Sequence, residues 1–384
     1  MSPESDIPVL PAHVVRELNN TGDWISSWWT VLALAVLAVG LVALTLWRAR
    51  RRGDAPRRRR WIAFTAASVI AVLSLGVAVN AWAGYWPTVA GARMWAAATL
   101  GLGDTKNQST HVLGTEHVGG VDAITIPVPN TVSMPSSITW VYTPPGYSAE
   151  NADTYPVIYL AHGSPGSSAD WFSGGDAPHI LDILIANDLI DPMIAVAFDM
   201  NGTGAGSGSD DTECLDSTTG GSQVETFLNS VVVPYVDQNF HTNGTRIIGG
   251  FSAGAFCALD QGLRHPETFH GIIALAPYLN PGSGGRTALK TEAEVNQHDV
   301  AQYVSSLAPS TAPVTFVLTE ATPSPALTQV EQVAAELRTL THPTLLYAVD
   351  GDHNWVWARS VFPAALISVA DDLGLSSKSS QANG

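Results

Sequence analysis

RIIGGFSAGAFCALDQGLRHP, residues 246–266, is the stretch on which the fold turns. Arg246–Gly249 reads as a short β-strand, and Ala253–Leu263 reads as an apolar helix that stops at Arg264-His265-Pro266. Between them stands Gly250-Phe251-Ser252-Ala253-Gly254, a G-x-S-x-G pattern. A strand that turns directly into a helix leaves no room for a side chain at either glycine. The same turn lifts the serine hydroxyl above the sheet edge, at a helix N-terminus whose dipole favours developing negative charge. Ser252 is therefore the candidate nucleophile. The competing reading is a glycine-rich turn with an ordinary serine.

Working outward, β-branched runs alternate with helical patterns from about Val121. Candidate strands are Ala123–Val128, Ile138–Tyr142, Val157–Leu160, Met193–Phe198, Arg246–Gly249, Gly271–Ala276, Val314–Thr319 and Thr344–Val349. Helical periodicity falls at Pro178–Asn187, Val224–Gln238 and Thr328–Leu340. Hairpin-like strands followed by βαβ units predict an α/β fold: a mostly parallel sheet with an antiparallel start, flanked by helices.

A serine nucleophile needs a base and an oxyanion site at the same sheet edge. Of eleven histidines, His353 alone follows the last candidate strand, in Asp350-Gly351-Asp352-His353-Asn354-Trp355, and it is the candidate base. His162 and His265 read as a loop residue and a helix C-terminal residue. Two backbone N–H groups must face the oxyanion: that of Ala253, next to the nucleophile, and one from the loop after an earlier strand. The turn Ala161-His162-Gly163-Ser164-Pro165-Gly166 supplies the second, with Ser164 the candidate donor; the plain alternative is a Gly/Pro turn.

YPVIYLAHGSPGSSADW (155–171), ETFLNSVVVPYVDQNF (225–240), IGGFSAGAFCAL (248–259) and GDHNWVWARSVFPAAL (351–366) together resemble the putative-esterase branch of the α/β-hydrolases, which holds esterase D and the mycobacterial mycolyltransferases. The resemblance covers roughly residues 125–370. It implies an α/β-hydrolase fold, acyl-ester hydrolysis or acyl transfer to a sugar hydroxyl, and a Ser-His-acid triad. Esterase D-like enzymes place the acid, an Asp, in a turn that here reads Ala321-Thr322-Pro323-Ser324. The mycolyltransferases have a similar turn and take a Glu from the following helix. That analogy points to Glu331, with Glu320 at the end of the preceding strand as its rival and Glu336 a more remote third.

Two further segments lie outside the resemblance. WISSWWTVLALAVLAVGLVALTLW (24–47) and WIAFTAASVIAVLSLGVAVNAW (61–82) carry no charged residue, and each is long enough to cross about 30 Å of hydrocarbon. Tryptophans cluster at their ends, as interfacial aromatics do. The loop RARRRGDAPRRRR between them holds eight of the chain's basic residues and should stay cytoplasmic, which puts both outer ends on the other side. A cleaved signal peptide fits poorly, because the first segment lacks a basic leader and a second span follows. The expected organisation is an extracytoplasmic N-terminus (1–23), transmembrane helices at 24–47 and 61–83, a cytoplasmic loop (48–60), a connector (84–120) with an amphipathic stretch at 90–102, a catalytic domain (121–376) and a flexible tail (377–384).

From Asp104 onward there are twenty-nine acidic and eight basic residues. Such a surface disfavours nucleic acid and anionic head groups. Two cysteines, Cys214 and Cys257, make no disulfide framework and no metal motif; they read as a pair pinning a loop or as two thiols. The loop 201–223 reads as a substrate cover, and its Asp210, Asp211, Glu213 and Asp216 do not follow an EF-hand spacing. Trp171, Trp355 and Trp357 line an acyl channel or belong to the core. No cofactor and no metal are called for. The expected function is a membrane-anchored, extracytoplasmic serine esterase or acyltransferase acting on lipid or cell-envelope esters. The rival from another class is a catalytically silent hydrolase-fold module that binds an envelope ligand or a partner protein.

Overall fold

The computed structural model describes residues 8–19, 22–52, 57–100, 118–150, 152–204, 207–307, 313–320, 325–339 and 344–376. Among the described residues there are ten strands: β1 (Gly120–Thr125), β2 (Ile138–Thr143), β3 (Tyr155–Ala161), β4 (Ile194–Phe198), β5 (Asn201–Gly204), β6 (Ser207–Asp211), β7 (Thr242–Phe251), β8 (Gly271–Leu275), β9 (Val314–Glu320) and β10 (Thr344–Val349). Eight form one sheet in the order β1-β2-β4-β3-β7-β8-β9-β10, while β5 and β6 form a separate ribbon. β2 pairs antiparallel with both its neighbours, and every other pair in the large sheet is parallel. The eight expected strands are those of this sheet. The ribbon lies in the Gly/Ser-rich loop, where composition gives no strand signal.

Fourteen α-helical segments are described. α1 (Ala12–Asn19), α2 (Trp28–Arg52), α3 (Arg57–Ala83) and α4 (Val89–Leu100) precede the sheet. α5 (Asp170–Ser173) and α6 (Ala177–Ala186) follow β3. α7 (Val224–Phe227) and α8 (Val233–Asn239) are joined by one π turn into the single helix expected there. α9 (Ala253–Arg264) follows β7; the short α10 (Ser283–Ala288), α11 (Glu292–Gln297) and α12 (Val300–Tyr303) follow β8; α13 (Pro325–Leu337) follows β9; and α14 (Trp355–Asp372) closes the domain.

The central strands β3, β4 and β8 are almost wholly apolar and buried at every residue because helices cover both faces. Alternate side chains enter two separate cores. Val157, Tyr159 and Ala161 of β3 face the core shared with α7, α8, α9 and α13. Ile158 and Leu160 face the core shared with α5, α6 and α14.

Strand order reverses at β3: β4 lies on one side of it and β7 on the other. In open parallel sheets the carboxyl ends of such a strand pair bound a crevice. The loops after β3 and β7 carry Gly163–Ser164 and Ser252, so both candidate elements rise at that crevice.

α2 and α3 pack against each other as a hairpin, joined by a Ser74 Oγ–H bond to the Val31 carbonyl (3.0 Å). Only 6% and 11% of their most apolar windows are buried. Val36, Val39, Val72 and Leu75 point outward at 62%, 68%, 69% and 64% exposure. The stretch expected at 90–102 is helical as α4 within the described residues. It packs on α5, with Gly91 close to Ser173 and Trp95 edge-on to Trp86 at 5.1 Å.

Candidate active site

β7 delivers the chain to Ser252, which adopts φ +59° and ψ −119°, and α9 begins at the next residue. A non-glycine residue held there stores strain of order 1–3 kcal/mol. The Ser252 N–H donates to the Leu275 carbonyl of β8 (3.0 Å), and its own carbonyl accepts from the Ala255 N–H (2.9 Å). A Cβ at Gly250 would lie 1.9 Å from the Gly254 carbonyl oxygen, and one at Gly254 would lie 2.0 Å from that of Ala161. Both obstacles are backbone and cannot yield, so only glycine fits on either side of the turn.

His353 stands between β10 and α14. The next residue, Asn354, caps α14 by accepting the Trp357 N–H (3.0 Å), which fixes where the loop ends. The imidazole lies on the Phe251 ring, with centroids 4.8 Å apart and planes at 31°. Its Nε2 is 2.9 Å from Ser252 Oγ. With the proton on Nδ1, Nε2 accepts the Ser252 O–H, the arrangement a general base requires. Phe251 is thus a platform for the imidazole; the sequence offered it only as the unassigned position of the G-x-S-x-G pattern.

The turn after β3 approaches the serine from the other side. A Cβ at Gly163 would lie 3.6 Å from Ser252 Cβ. Ser164 and Ser252 line the same cleft. The Ala253 N–H opens α9, where no carbonyl of the helix can reach it. The turn is held from beneath by His162, which is 1% exposed. Its Nδ1 is 2.8 Å from the Gly163 carbonyl, and its Nε2 is 3.1 Å from the Met200 N–H and 3.2 Å from Asp199 Oδ1. Burial disfavours the charged imidazole, but the Asp199 and Asp170 carboxylates outweigh it and raise the His162 pKa. His162 supports the turn and lies away from the hydroxyl, as a loop residue should.

The two glutamates differ in position. Glu331 is seven residues into α13, about 9 Å along the axis from its first residue, on a helix that runs back from the sheet edge. Val330, Val333 and Ala334 face the core, leaving Glu331 exposed. It makes no hydrogen bond or ion pair with the described residues. Glu320 closes β9 and pairs in register with Val349, the last residue of β10 and four before His353. Glu336 is exposed further along α13.

A cleft of about 240 Å³ opens over Ser252 and His353. Trp355 lines it, whereas Trp171 and Trp357 are core residues whose indole N–H groups bond the Ala161 (2.7 Å) and Val349 (3.3 Å) carbonyls. Trp82, Ala83 and Tyr85, from the end of α3 and the turn after it, form another wall. The sequence marked these only as aromatics at the end of an apolar segment.

None of the described residues lining the cleft comes from the loop 201–223. Of its acids, Asp216 accepts from the Thr226 N–H (2.9 Å) and hydroxyl, and Glu213 accepts from the Tyr278 hydroxyl. The side chains of Asp210 and Asp211 lie outside the described residues. Cys214 and Cys257 are bonded as a disulfide that ties this loop to α9. Among the described residues Glu225, Asp260 and His298 cluster as metal ligands do. Their cation is already present: Arg264 NH1 lies 2.8, 3.4 and 3.0 Å from the three. Burial pushes the Glu225 carboxyl up, but hydrogen bonds and charge from His265 and Arg264 win and hold it at about 2.

Comparison with known proteins agrees with this geometry. Residues 132–369 match the family described as "Putative esterase". A Corynebacterium glutamicum relative, an uncharacterized protein, is 28% identical over 67% of this chain and 59% of its own length. An endo-1,4-beta-xylanase/feruloyl esterase of Xylanibacter ruminicola is 32% identical over 36% of this chain and 19% of its own. The chain therefore spans well under two thirds of these curated relatives. Among solved structures, a ferulic acid esterase superposes with TM-score 0.57 at 20% identity, covering 67% of this chain and 98% of that one. An S-formylglutathione hydrolase from Agrobacterium tumefaciens superposes with TM-score 0.55 at 17% identity, covering 68% and 98%. With the motif, the crevice and the family match over more than half its length in accord, the chain belongs to the putative esterase family of the α/β-hydrolases.

Proposed function

We propose that this protein is a membrane-anchored serine esterase that acts on lipid or cell-envelope acyl esters, and an acyltransferase where a hydroxyl acceptor replaces water. The observation that carries the reading is the 2.9 Å approach of His353 Nε2 to Ser252 Oγ above the β3–β7 crevice. Ser252 Oγ attacks the ester carbonyl as His353 Nε2 takes its proton, and the N–H groups of Ser164 and Ala253 receive the oxyanion. The imidazolium then protonates the departing alcohol, leaving an acyl-serine. Water or a sugar or lipid hydroxyl gives its proton to His353 and takes the acyl group. Glu320, rather than Glu331, holds the His353 tautomer and stabilises the imidazolium; its place at the end of β9, opposite Val349, supports this.

The hairpin supports the membrane part. A buried core helix is covered, whereas α2 and α3 leave their outer faces bare over 24 and 26 residues. Those lengths rise about 36 and 39 Å, enough for a bilayer's hydrocarbon. The arginines at one end support a catalytic domain on the outer side, and a disulfide suits an oxidising compartment.

Hydrolysis of p-nitrophenyl esters by the full chain in detergent tests the enzyme reading. Turnover that disappears in Ser252→Ala supports it. Turnover that survives that change, or none in the parent, overturns it.

A further inference from the structure

The wall contributed by the end of α3 has no counterpart in the chemistry described above. It is fastened to the His353 loop and to the turn that follows β3. Trp82 Nε1–H donates to Asp352 Oδ2, beside His353 (3.2 Å), and Asn354 Nδ2 donates to the Trp82 carbonyl (2.9 Å). The Tyr85 hydroxyl donates to the Pro165 carbonyl, next to Ser164 (3.0 Å), and lies 3.3 Å from Asp170 Oδ2. Arg359 bridges the carbonyls of Gly84 and Gly174. Gly84 has φ +72°, and a Cβ there would lie 2.7 Å from the Val356 backbone nitrogen, so the turn is pressed against α14.

The same end of the hairpin carries one of its two aromatic rims, the other being Trp47 and Trp61 beside the arginines. Trp24, Trp28, Trp29 and Trp82 are 61%, 60%, 79% and 56% exposed, while the arginine-rich loop lies at the opposite end of α2 and α3. Exposed tryptophans at one end of an apolar hairpin mark a water–hydrocarbon boundary. The cleft over Ser252 therefore opens at that boundary, with Trp82 belonging to both. At about 240 Å³ the cleft falls below the size of pockets that enclose a drug-sized ligand. Between its described walls there is room for an ester and the first part of an acyl chain.

We infer that the substrate is an amphiphilic ester resident in the bilayer, which presents its carbonyl to Ser252 along the Trp82–Tyr85 wall while the far part of its acyl chain stays in the hydrocarbon. Trp82 and Tyr85 are specificity-determining residues for that substrate. The inference rests on the serine-esterase reading and names its substrate class. A long chain that keeps its tail among lipids need not be desolvated into water to react, and a short soluble ester gains nothing from the wall.

The test uses the full chain in phosphatidylcholine vesicles with two substrates: p-nitrophenyl acetate in the water and p-nitrophenyl palmitate in the bilayer. The wild type should turn over both. Trp82→Ala should lower the palmitate-to-acetate ratio of kcat/KM by about tenfold or more. Trp82→Phe, which keeps an apolar ring and loses the bond to Asp352, should restore most of that ratio. An unchanged ratio in Trp82→Ala overturns the inference, because a merely structural role moves both substrates together. So does a wild type that cleaves acetate and ignores palmitate. If the wild type cleaves neither ester and a fluorophosphonate fails to label Ser252, the esterase reading itself has failed, and this inference falls with it.

Discussion

Ser252 follows β7 and Glu320 closes β9, two strands of one sheet with only β8 between them, yet the two ends are built differently. At β7 the chain has no choice. The strand lies between β3 and β8, and backbone atoms forbid a Cβ at Gly250 and Gly254. At β9 the sheet is one strand from its edge, and the helix that follows, α13, packs by an apolar stripe. A residue in a sterically fixed turn can be assigned from local sequence. A residue that must only reach a neighbouring loop can sit on the strand or on the helix with little local trace.

The largest expected effect belongs to the constrained side. Ser252→Ala should lower kcat/KM for any ester by at least about 10⁴-fold, read by steady-state kinetics. Next comes the contrast on the acid side. Glu320→Gln should cost about 10²–10⁴-fold in kcat, since a carboxylate that orients the base sets its tautomer and charge. Glu331→Gln, exposed and far along α13, should change it less than about twofold. The reverse order would restore the helical glutamate and break the comparison.

Smaller effects sharpen the difference in stability. The double change Cys214→Ser and Cys257→Ser frees α9 from a link spanning 43 residues and should lower unfolding stability by roughly 2–4 kcal/mol, read by denaturant melts in detergent. At the far end of α9, Glu225 has a folded pKa of about 2 against 4.5, so its contribution is present above pH 4.5 and lost as pH falls through about 2. The His265 pKa is raised from 6.5 by its bond to Glu225, so its share is present below 6.5 and lost as pH rises through the higher folded value. The difference in Tm between wild type and Glu225→Gln should therefore be widest between pH 4.5 and 6.5.

Asp176 gives the smallest effect and a control away from the crevice. Burial pushes its carboxyl up to about 6, although His179 and Arg359 pull the other way, so it destabilises the fold as pH rises from 3.8 through 6. It sits at φ +52°, which asparagine tolerates. Asp176→Asn should raise Tm by about 2–4 °C at pH 8, have little effect at pH 4, and leave kcat alone.

Legibility in the sequence divides along the same line. The strands of the main sheet were readable from their apolar, β-branched runs, and Ser252 and His353 because steric necessity and chain order place them. The β5–β6 ribbon was not, since its Gly/Ser/Asp residues pair through backbone alone. The acid stayed divided between Glu331 and Glu320, because how α13 turns residue 331 depends on packing against a core assembled from distant segments. The role of Trp82 and Tyr85 was hidden for another reason: aromatics after an apolar segment already have an explanation as interfacial anchors, and only the tertiary contact to Asp352 and Pro165 adds a second.

The central claim is that one serine, activated by His353, is the nucleophile. The most direct test is to treat the full chain in detergent with a fluorophosphonate and locate the adduct by peptide mass. The account predicts a single adduct on the peptide containing Ser252, abolished in Ser252→Ala and much slowed in His353→Ala. An adduct on another residue, or none on the folded protein, would contradict it.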